Sequence, residues 1–174
     1  MLLLAVGGVR PAEVAEGIEV QPIDGGVQLK IKGAKIDRGH GQPERVVAVH
    51  GPLALLLAGG GGRTIDAPSA NAVSIAAGRL GRKVFGKRRS HLVNAYSFRH
   101  QFASDLKASG LDGLNISAIL GHSVDDTKKQ YGSSKQVRGL QTTRLISATL
   151  AVKVLKKSGF SPTRTTAGGP APRS

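Results

Sequence analysis

The sequence has no cysteine and no tryptophan, and aromatic residues make up only 3% of its 174 residues. The absence of cysteine excludes disulfides, thiol catalysis and cysteine-ligated zinc, and it is typical of a protein from a reducing interior. With so few aromatic residues, we expect a core built from Leu, Val, Ile and Ala. The scarcity also makes each of the two tyrosines, Tyr96 and Tyr131, worth inspecting.

Acidic residues are scarce as well, since 11 Asp and Glu stand against 25 Lys and Arg, a formal net charge of +14. An excess of this size favours a polyanionic partner, and binding through phosphate neutralisation would depend on salt. Charge alone does not separate binding of nucleic acid from cutting it. A basic structural RNA-binding protein accounts for the charge equally well.

Neither metal ligands nor a membrane segment are indicated by the remaining patterns. The five histidines do not pair with one another or with carboxylates at metal-binding spacing, so we predict no metal. The apolar start at residues 1–7 lacks a basic flank and is too short to span a bilayer. It is more typical of a core helix, and we predict no membrane partner.

The hydrophobic periodicity predicts an α+β fold that is mainly helical, with a small three-stranded antiparallel sheet near the N-terminus. The strands are expected at 18–23, 27–32 and 44–49, with a turn at Asp24-Gly25-Gly26 and a basic hairpin loop at 33–43. Helices are expected at 1–16 with a break at Gly7-Gly8, and at 53–58, 69–80, 97–109, 114–120, 123–130 and 134–156. Residues 1–157 would form one domain, and 158–174 a disordered basic tail.

Five short motifs follow one another along the chain. They are Gly8-Val-Arg-Pro-Ala-Glu13, Lys32-Gly-Ala-Lys35, Tyr96-Ser-Phe-Arg-His100, Leu120-Gly-His122, and Tyr131 nine residues after His122. Together they resemble the catalytic domain of the tyrosine recombinases, the phage-integrase family, over roughly residues 1–150. The resemblance implies the family's catalytic fold and a site-specific DNA recombinase. Such an enzyme cleaves and rejoins strands through a 3′-phosphotyrosyl intermediate, without metal, cofactor or ATP.

The resemblance assigns a role to each motif residue. Tyr131 is the nucleophile, Lys35 protonates the leaving 5′ oxygen, and His122 donates to a phosphate oxygen. Arg10 and Arg99 clamp the phosphate. Metal-free cleavage needs fixed cations around the non-bridging oxygens, because negative charge builds there in the transition state. Arginine suits this task because it stays charged and can grip two oxygens.

Supporting residues and DNA contacts follow from the same resemblance and from the clusters of basic residues. Glu13 and His100 are expected to support the arginines rather than to touch the substrate. The partner is double-stranded DNA, held through backbone phosphates. The further DNA contacts are expected from the basic residues Lys32, Arg82, Lys83, Lys87, Arg88, Arg89 and Lys128.

Each assignment has a structural alternative. Arg10 can be a solvated residue at a helix start, Arg99 a helix-surface cation, and Lys35 a solvated loop lysine. His122 can be a packed or helix-capping histidine, and Tyr131 a helix-end tyrosine on the core. Because the five motifs occur together and in order, the catalytic assignments are favoured over these alternatives.

The chain departs from the family's pattern in two ways. Tyr96 stands where histidine is most common, and a phenol can donate a hydrogen bond but cannot act as a base with a pKa near 7. Packing near the helix start is an equally good explanation of Tyr96. The helical core-binding domain that completes the family's DNA clamp is expected to be absent, because Arg10 lies so near the first residue. The alternative function is therefore a truncated, catalytically inactive DNA-binding remnant; a topoisomerase of similar chemistry is less favoured.

The resemblance also implies a setting and an assembly. We expect a cytoplasmic, nucleoid-associated protein of bacterial or phage origin, and a homo-tetramer on DNA for the full-length enzyme. The predicted helix at 134–156 would dock on a neighbouring protomer or fold back on its own core, and the sequence leaves both open. Its apolar stripe comprises Leu140, Leu145, Ile146, Leu150, Val154 and Leu155.

Overall fold

The computed structural model describes residues 1–34, 41–86, 93–122 and 142–152. Within these ranges the fold is α+β, with one antiparallel sheet whose strands lie in the order β4-β1-β2-β3-β5. The strands are β1 Ile18–Ile23, β2 Gly26–Lys32, β3 Glu44–His50, β4 Arg63–Ile65 and β5 Thr142–Ala148. The helices are α1 Leu2–Gly7, α2 Pro11–Ala15, α3 Pro52–Ala58, α4 Ala70–Phe85, α5 Ala95–Ala108 and α6 Gly113–Ile119.

The sheet buries one face and leaves the other polar. Alternation with period two places Val20, Leu29 and Val47 side by side, and all three are buried. Helix α3 packs on β1, β2 and β3, while α6 packs on β3 and β5. The opposite face carries polar side chains, and there Lys30 lies 3.9 Å from a carboxylate oxygen of Glu19.

The expected three-stranded sheet is wrong in its strand number, although its three strands occur where the periodicity predicted them. Strand β4 pairs with β1, and β5 pairs with β3. Strand β4 has three residues, too few to show an alternating pattern. The sheet therefore has five strands, and its two edges come from segments that the sequence did not predict as strands.

The helix predicted at 134–156 is wrong over Thr142–Ala148, which forms β5. Two threonines and Ile146 are β-branched residues, which favour strands, and pairing with β3 satisfies the backbone groups that the two strands turn towards each other. Of the predicted apolar stripe, Leu145 packs against the core, whereas Ile146 and Leu150 are largely exposed. Leu140, Val154 and Leu155 lie outside the described residues.

Helices α1 to α6 lie where helices were predicted, with shifted ends. Helix α4 begins where the Ser69 side chain accepts a hydrogen bond from the Ala72 amide at 3.1 Å. It runs on to Phe85, so Arg82 and Lys83 lie in its last turn. Asn94 caps α5 in the same way, at 3.0 Å from the Ser97 amide. In the part of the chain described here, no helix is long and apolar enough to cross a membrane.

Candidate functional site

The first motif folds into the turn between α1 and α2. Gly8 ends α1 in the left-handed conformation, at φ 56°, and Pro11 opens α2. Glu13 then reaches back over the turn, and its Oε2 accepts a hydrogen bond from the Arg10 amide at 2.8 Å. Its Oε1 lies 3.3 Å from Nη1 of Arg10. The three-residue spacing of Arg10 and Glu13 thus serves a helix cap and an ion pair together.

Glu13 is fully buried, and its main partner is Arg45 on β3. The Arg45 guanidinium donates from Nη1 to Oε1 and from Nη2 to Oε2, both at 3.0 Å. Its Nε donates to the Ile119 carbonyl oxygen at 2.7 Å. Burial by itself would raise the pKa of Glu13, but the charge and hydrogen bonds of Arg45 outweigh it and hold this pKa below its usual value. Arg99 and Arg10 act in the same direction.

Arg45 was missed at the sequence level, although one signal for it exists. In the run from Arg45 to Val49, alternation places Arg45 on the same face as Val47 and Val49, which is the core face. A cation on the buried face of a strand requires a buried partner. The identity of that partner, Glu13 on α2, could not be read from the pattern.

Arg99 on α5 is buried, with 2% of its surface exposed. Its Nη1 donates to the Gly8 carbonyl oxygen at 2.7 Å, and its Nη2 donates to the Leu120 carbonyl oxygen. It therefore joins the turn of the first motif to the turn of the fourth. Burial of this kind contradicts the alternative that Arg99 is an ordinary helix-surface cation.

His122 completes the cluster. Its Nε2 lies 3.2 Å from Nη2 of Arg99. Because arginine only donates, this contact makes Nε2 an acceptor and places the proton of the neutral ring on Nδ1. Burial, together with the charges of Arg99, Arg10 and Arg45, lowers the pKa of His122 from 6.5 to about 4, against an opposing effect of Glu13. The imidazole is therefore neutral at physiological pH.

The turn that contains His122 is held by contacts with Arg45 and Gln42. Gly121 has φ 75°, and a Cβ on it would lie 2.5 Å from Nη1 of Arg45. The buried side chain of Gln42 donates to the carbonyl oxygens of His122 at 3.2 Å and Leu150 at 2.6 Å. Its Oε1 accepts from the Leu150 amide at 2.8 Å. Gln42, a second residue that sequence reasoning missed, thus ties the His122 turn to the chain that follows β5.

The other predicted site residues are placed differently. Tyr96 is 53% exposed on α5. His100 is exposed, whereas its neighbour Arg99 is buried, as expected of adjacent positions on a helix. The side chains of Lys32, Arg82 and Lys83 are exposed on β2 and α4. The predictions that lie outside the described residues are Lys35, Tyr131, Lys87, Arg88, Arg89 and Lys128, the helix at 123–130 and the tail at 158–174.

The described contacts thus bring together Arg10, Arg45, Arg99, Glu13 and His122 from five separate elements and turns. Three guanidinium cations against one carboxylate leave an excess of positive charge, and the neutral imidazole can donate a hydrogen bond from Nδ1. Such a site is suited to binding an anion and stabilising charge that develops on it. Across the described ranges, no group of three or more His, Asp or Glu side chains is placed to hold a metal ion.

No protein-family model matches the chain, and neither a curated protein nor a solved structure matches it significantly.

Proposed function

We propose that the chain is the catalytic domain of a site-specific DNA recombinase of the tyrosine recombinase class. It would cleave and rejoin DNA strands through a covalent bond between Tyr131 and a 3′ phosphate. The observation that carries the proposal is the cluster of Arg10, Arg99 and His122. These residues come from three motifs far apart in the sequence, yet Arg99 contacts His122 directly and bonds the turn that bears Arg10. A high positive charge alone does not require residues of these three motifs to lie together.

In the proposed reaction, Arg10 and Arg99 bind the non-bridging oxygens of the scissile phosphate and stabilise the charge that builds on them. The Tyr131 phenolate oxygen attacks phosphorus, and the bond to the 5′ oxygen breaks. Lys35 supplies the proton that the leaving 5′ oxygen takes up. The Tyr131 phenol gives up its proton to solvent, and the neutral His122, whose Nδ1 carries the ring proton, donates a hydrogen bond to a phosphate oxygen. Attack by another 5′ hydroxyl reverses these steps and rejoins the strands, so the covalent bond conserves the energy of the phosphodiester.

The test is covalent trapping on a nicked duplex of randomised sequence, labelled on the strand that stays attached. Cleavage near the nick releases a short fragment, so religation fails and the labelled strand remains on the protein. We expect a labelled band in denaturing gels that disappears on protease treatment. Tyr131→Phe is expected to abolish the band.

The chain has one other tyrosine, so Tyr96→Phe is the matched variant. A band lost in Tyr96→Phe and kept in Tyr131→Phe would reverse the assignment of the nucleophile. No band with the wild-type protein on any duplex would favour the second candidate function below.

The second candidate is a DNA-binding remnant without catalysis, and the observation that favours it is Tyr96. This residue stands where the family most often has histidine, and its side chain is half exposed on α5. The remnant would bind duplex DNA with an affinity that falls steeply with salt, because its contacts are to phosphates. It would yield no covalent band under conditions in which binding is complete.

A further inference from the structure

Arg45 occupies a position from which it cannot touch a substrate. Its side chain has no exposed surface, and neither does that of its partner Glu13. Its hydrogen bonds with the described residues point inward, two to Glu13 and one to the Ile119 carbonyl oxygen. Any effect of Arg45 on the site must therefore pass through the residues that it holds.

We propose that Arg45 is a positioning residue that keeps the cluster cationic and fixes the turn that bears His122. By occupying both oxygens of Glu13, it keeps this buried carboxylate from neutralising Arg10 and Arg99. By lying against Gly121, where a Cβ would come within 2.5 Å of its Nη1, it supports the backbone immediately before His122. One guanidinium thus serves the charge and the geometry of the site together.

The charge argument follows from the distances around Glu13. Its Oε1 is 3.0 Å from Arg45 and 3.3 Å from Arg10, so the two cations share one oxygen. If Arg45 loses its charge, the nearest cation to the buried carboxylate is Arg10, whose side chain is 22% exposed and accessible to an anion. Glu13 would then compete with a bound phosphate for Arg10, and the excess positive charge of the cluster would fall by one.

The experiment is a double-mutant cycle of Arg45→Met, Glu13→Gln and the two together. The first readout is the affinity for inorganic phosphate, measured at neutral pH from the shift of the His122 imidazole signal in NMR spectra. Arg45→Met is expected to weaken phosphate binding about 100-fold, since one charge at about 6 Å in a medium of effective dielectric about 20 changes the affinity by about that factor. The double variant removes one charge of each sign, and its methionine keeps an unbranched side chain beside Gly121, so it is expected to bind within about threefold of wild type. Glu13→Gln alone should bind at least as tightly as wild type.

The second readout is the pKa of His122 in the same four proteins. Arg45→Met should raise this pKa, because a cation is removed while Glu13 stays, and the double variant should lower it again. A residue that only fills space would not produce this reversal. If Arg45→Met fails to fold, the double variant still decides, because replacing both members of a buried ion pair costs far less than removing one. The proposal would be overturned if the double variant binds phosphate as weakly as Arg45→Met does. It would also be overturned if a folded double variant does not bind phosphate at all.

The inference rests on the proposed function only in taking the bound anion to be a DNA phosphate. Phosphate affinity and the His122 pKa are measured without DNA cleavage. If phosphate affinity and the His122 pKa change across the four proteins as expected, but no covalent band forms on DNA, the role of Arg45 is retained and the recombinase is rejected. A covalent band at Tyr131 with no reversal in the cycle would do the opposite.

Discussion

Gly121 and Gly110 form a matched pair for testing whether the site depends on the packing of Arg45. Each glycine follows a helix, with φ 75° at Gly121 and φ 80° at Gly110. A Cβ at Gly110 would meet nothing within 4 Å, whereas at Gly121 it would lie 2.5 Å from Nη1 and 2.8 Å from Cζ of Arg45. Alanine at either position is destabilised by the left-handed backbone, but only at Gly121 must a neighbouring side chain, that of Arg45, also move.

The difference in cost follows from what holds that neighbour. Alanine in the left-handed conformation costs about 1–2 kcal/mol, and this applies to both variants. The Arg45 guanidinium would otherwise swing aside cheaply, but three hydrogen bonds hold it, two of them to a buried carboxylate. Weakening one or two such bonds costs about 1.5–3 kcal/mol each, so Gly121→Ala should lose about 2–4 kcal/mol more than Gly110→Ala.

The assay is urea unfolding of both variants. Their free energies of unfolding are compared, provided that the slope of this free energy against urea concentration is the same in both. Phosphate affinity of the folded proteins is the companion measurement. Gly110→Ala should bind phosphate like wild type, and Gly121→Ala should bind it more weakly because the His122 turn shifts. Equal losses of stability in the two variants would refute the claim that hydrogen bonds fix Arg45 against Gly121.

Three more outcomes are expected. Since the pKa of His122 is lowered from 6.5 to about 4 in the folded chain, the unfolded chain takes up the proton first. Stability should therefore fall by about 2–3 kcal/mol as the pH is lowered from 6.5 to 4, and His122→Asn should remove this loss. Gln42→Met should speed hydrogen exchange at the Leu150 amide and cost about 2–4 kcal/mol, because buried polar groups lose their partners. Lys35→Ala should slow cleavage about 100-fold or more on ordinary DNA, but far less when sulfur replaces the leaving 5′ oxygen, since a thiolate leaves without a general acid.

Each of these outcomes has a control in the chain. His100→Asn, at an exposed position, should keep the acid-dependent loss, and a loss unchanged in His122→Asn would remove His122 as its source. Gln28→Met on the polar face of the sheet should leave the Leu150 exchange rate alone. Lys32→Ala tests the other lysine of the same motif: rescue by sulfur in this variant, and none in Lys35→Ala, would move the general acid to Lys32.

Much of the local structure was predictable because it depends on local pattern. The alternation at 18–23, 27–32 and 44–49 matches β1, β2 and β3, and the helical pattern predicted α1 to α6 with shifted ends. The edge strands were not predictable in the same way. Strand β4 is too short for a pattern, and β5 has an apolar content that suits a helix as well as a strand. Only the open edge of β3 decides between them, by offering backbone groups to pair with.

The sequence by itself determined the composition and the candidate residues: a basic chain without cysteine, with Arg10, Arg99 and His122 in ordered motifs. Only the tertiary structure decided that Arg99 is buried between two turns and that Glu13 belongs to Arg45. The physical reason is that charges buried in a core are stable only when paired, and the pairs join elements far apart in the chain, Glu13 and Arg45 being 32 residues apart. Periodicity records which face a side chain occupies. It does not record what packs against that face, which is where the charge and shape of this site are set.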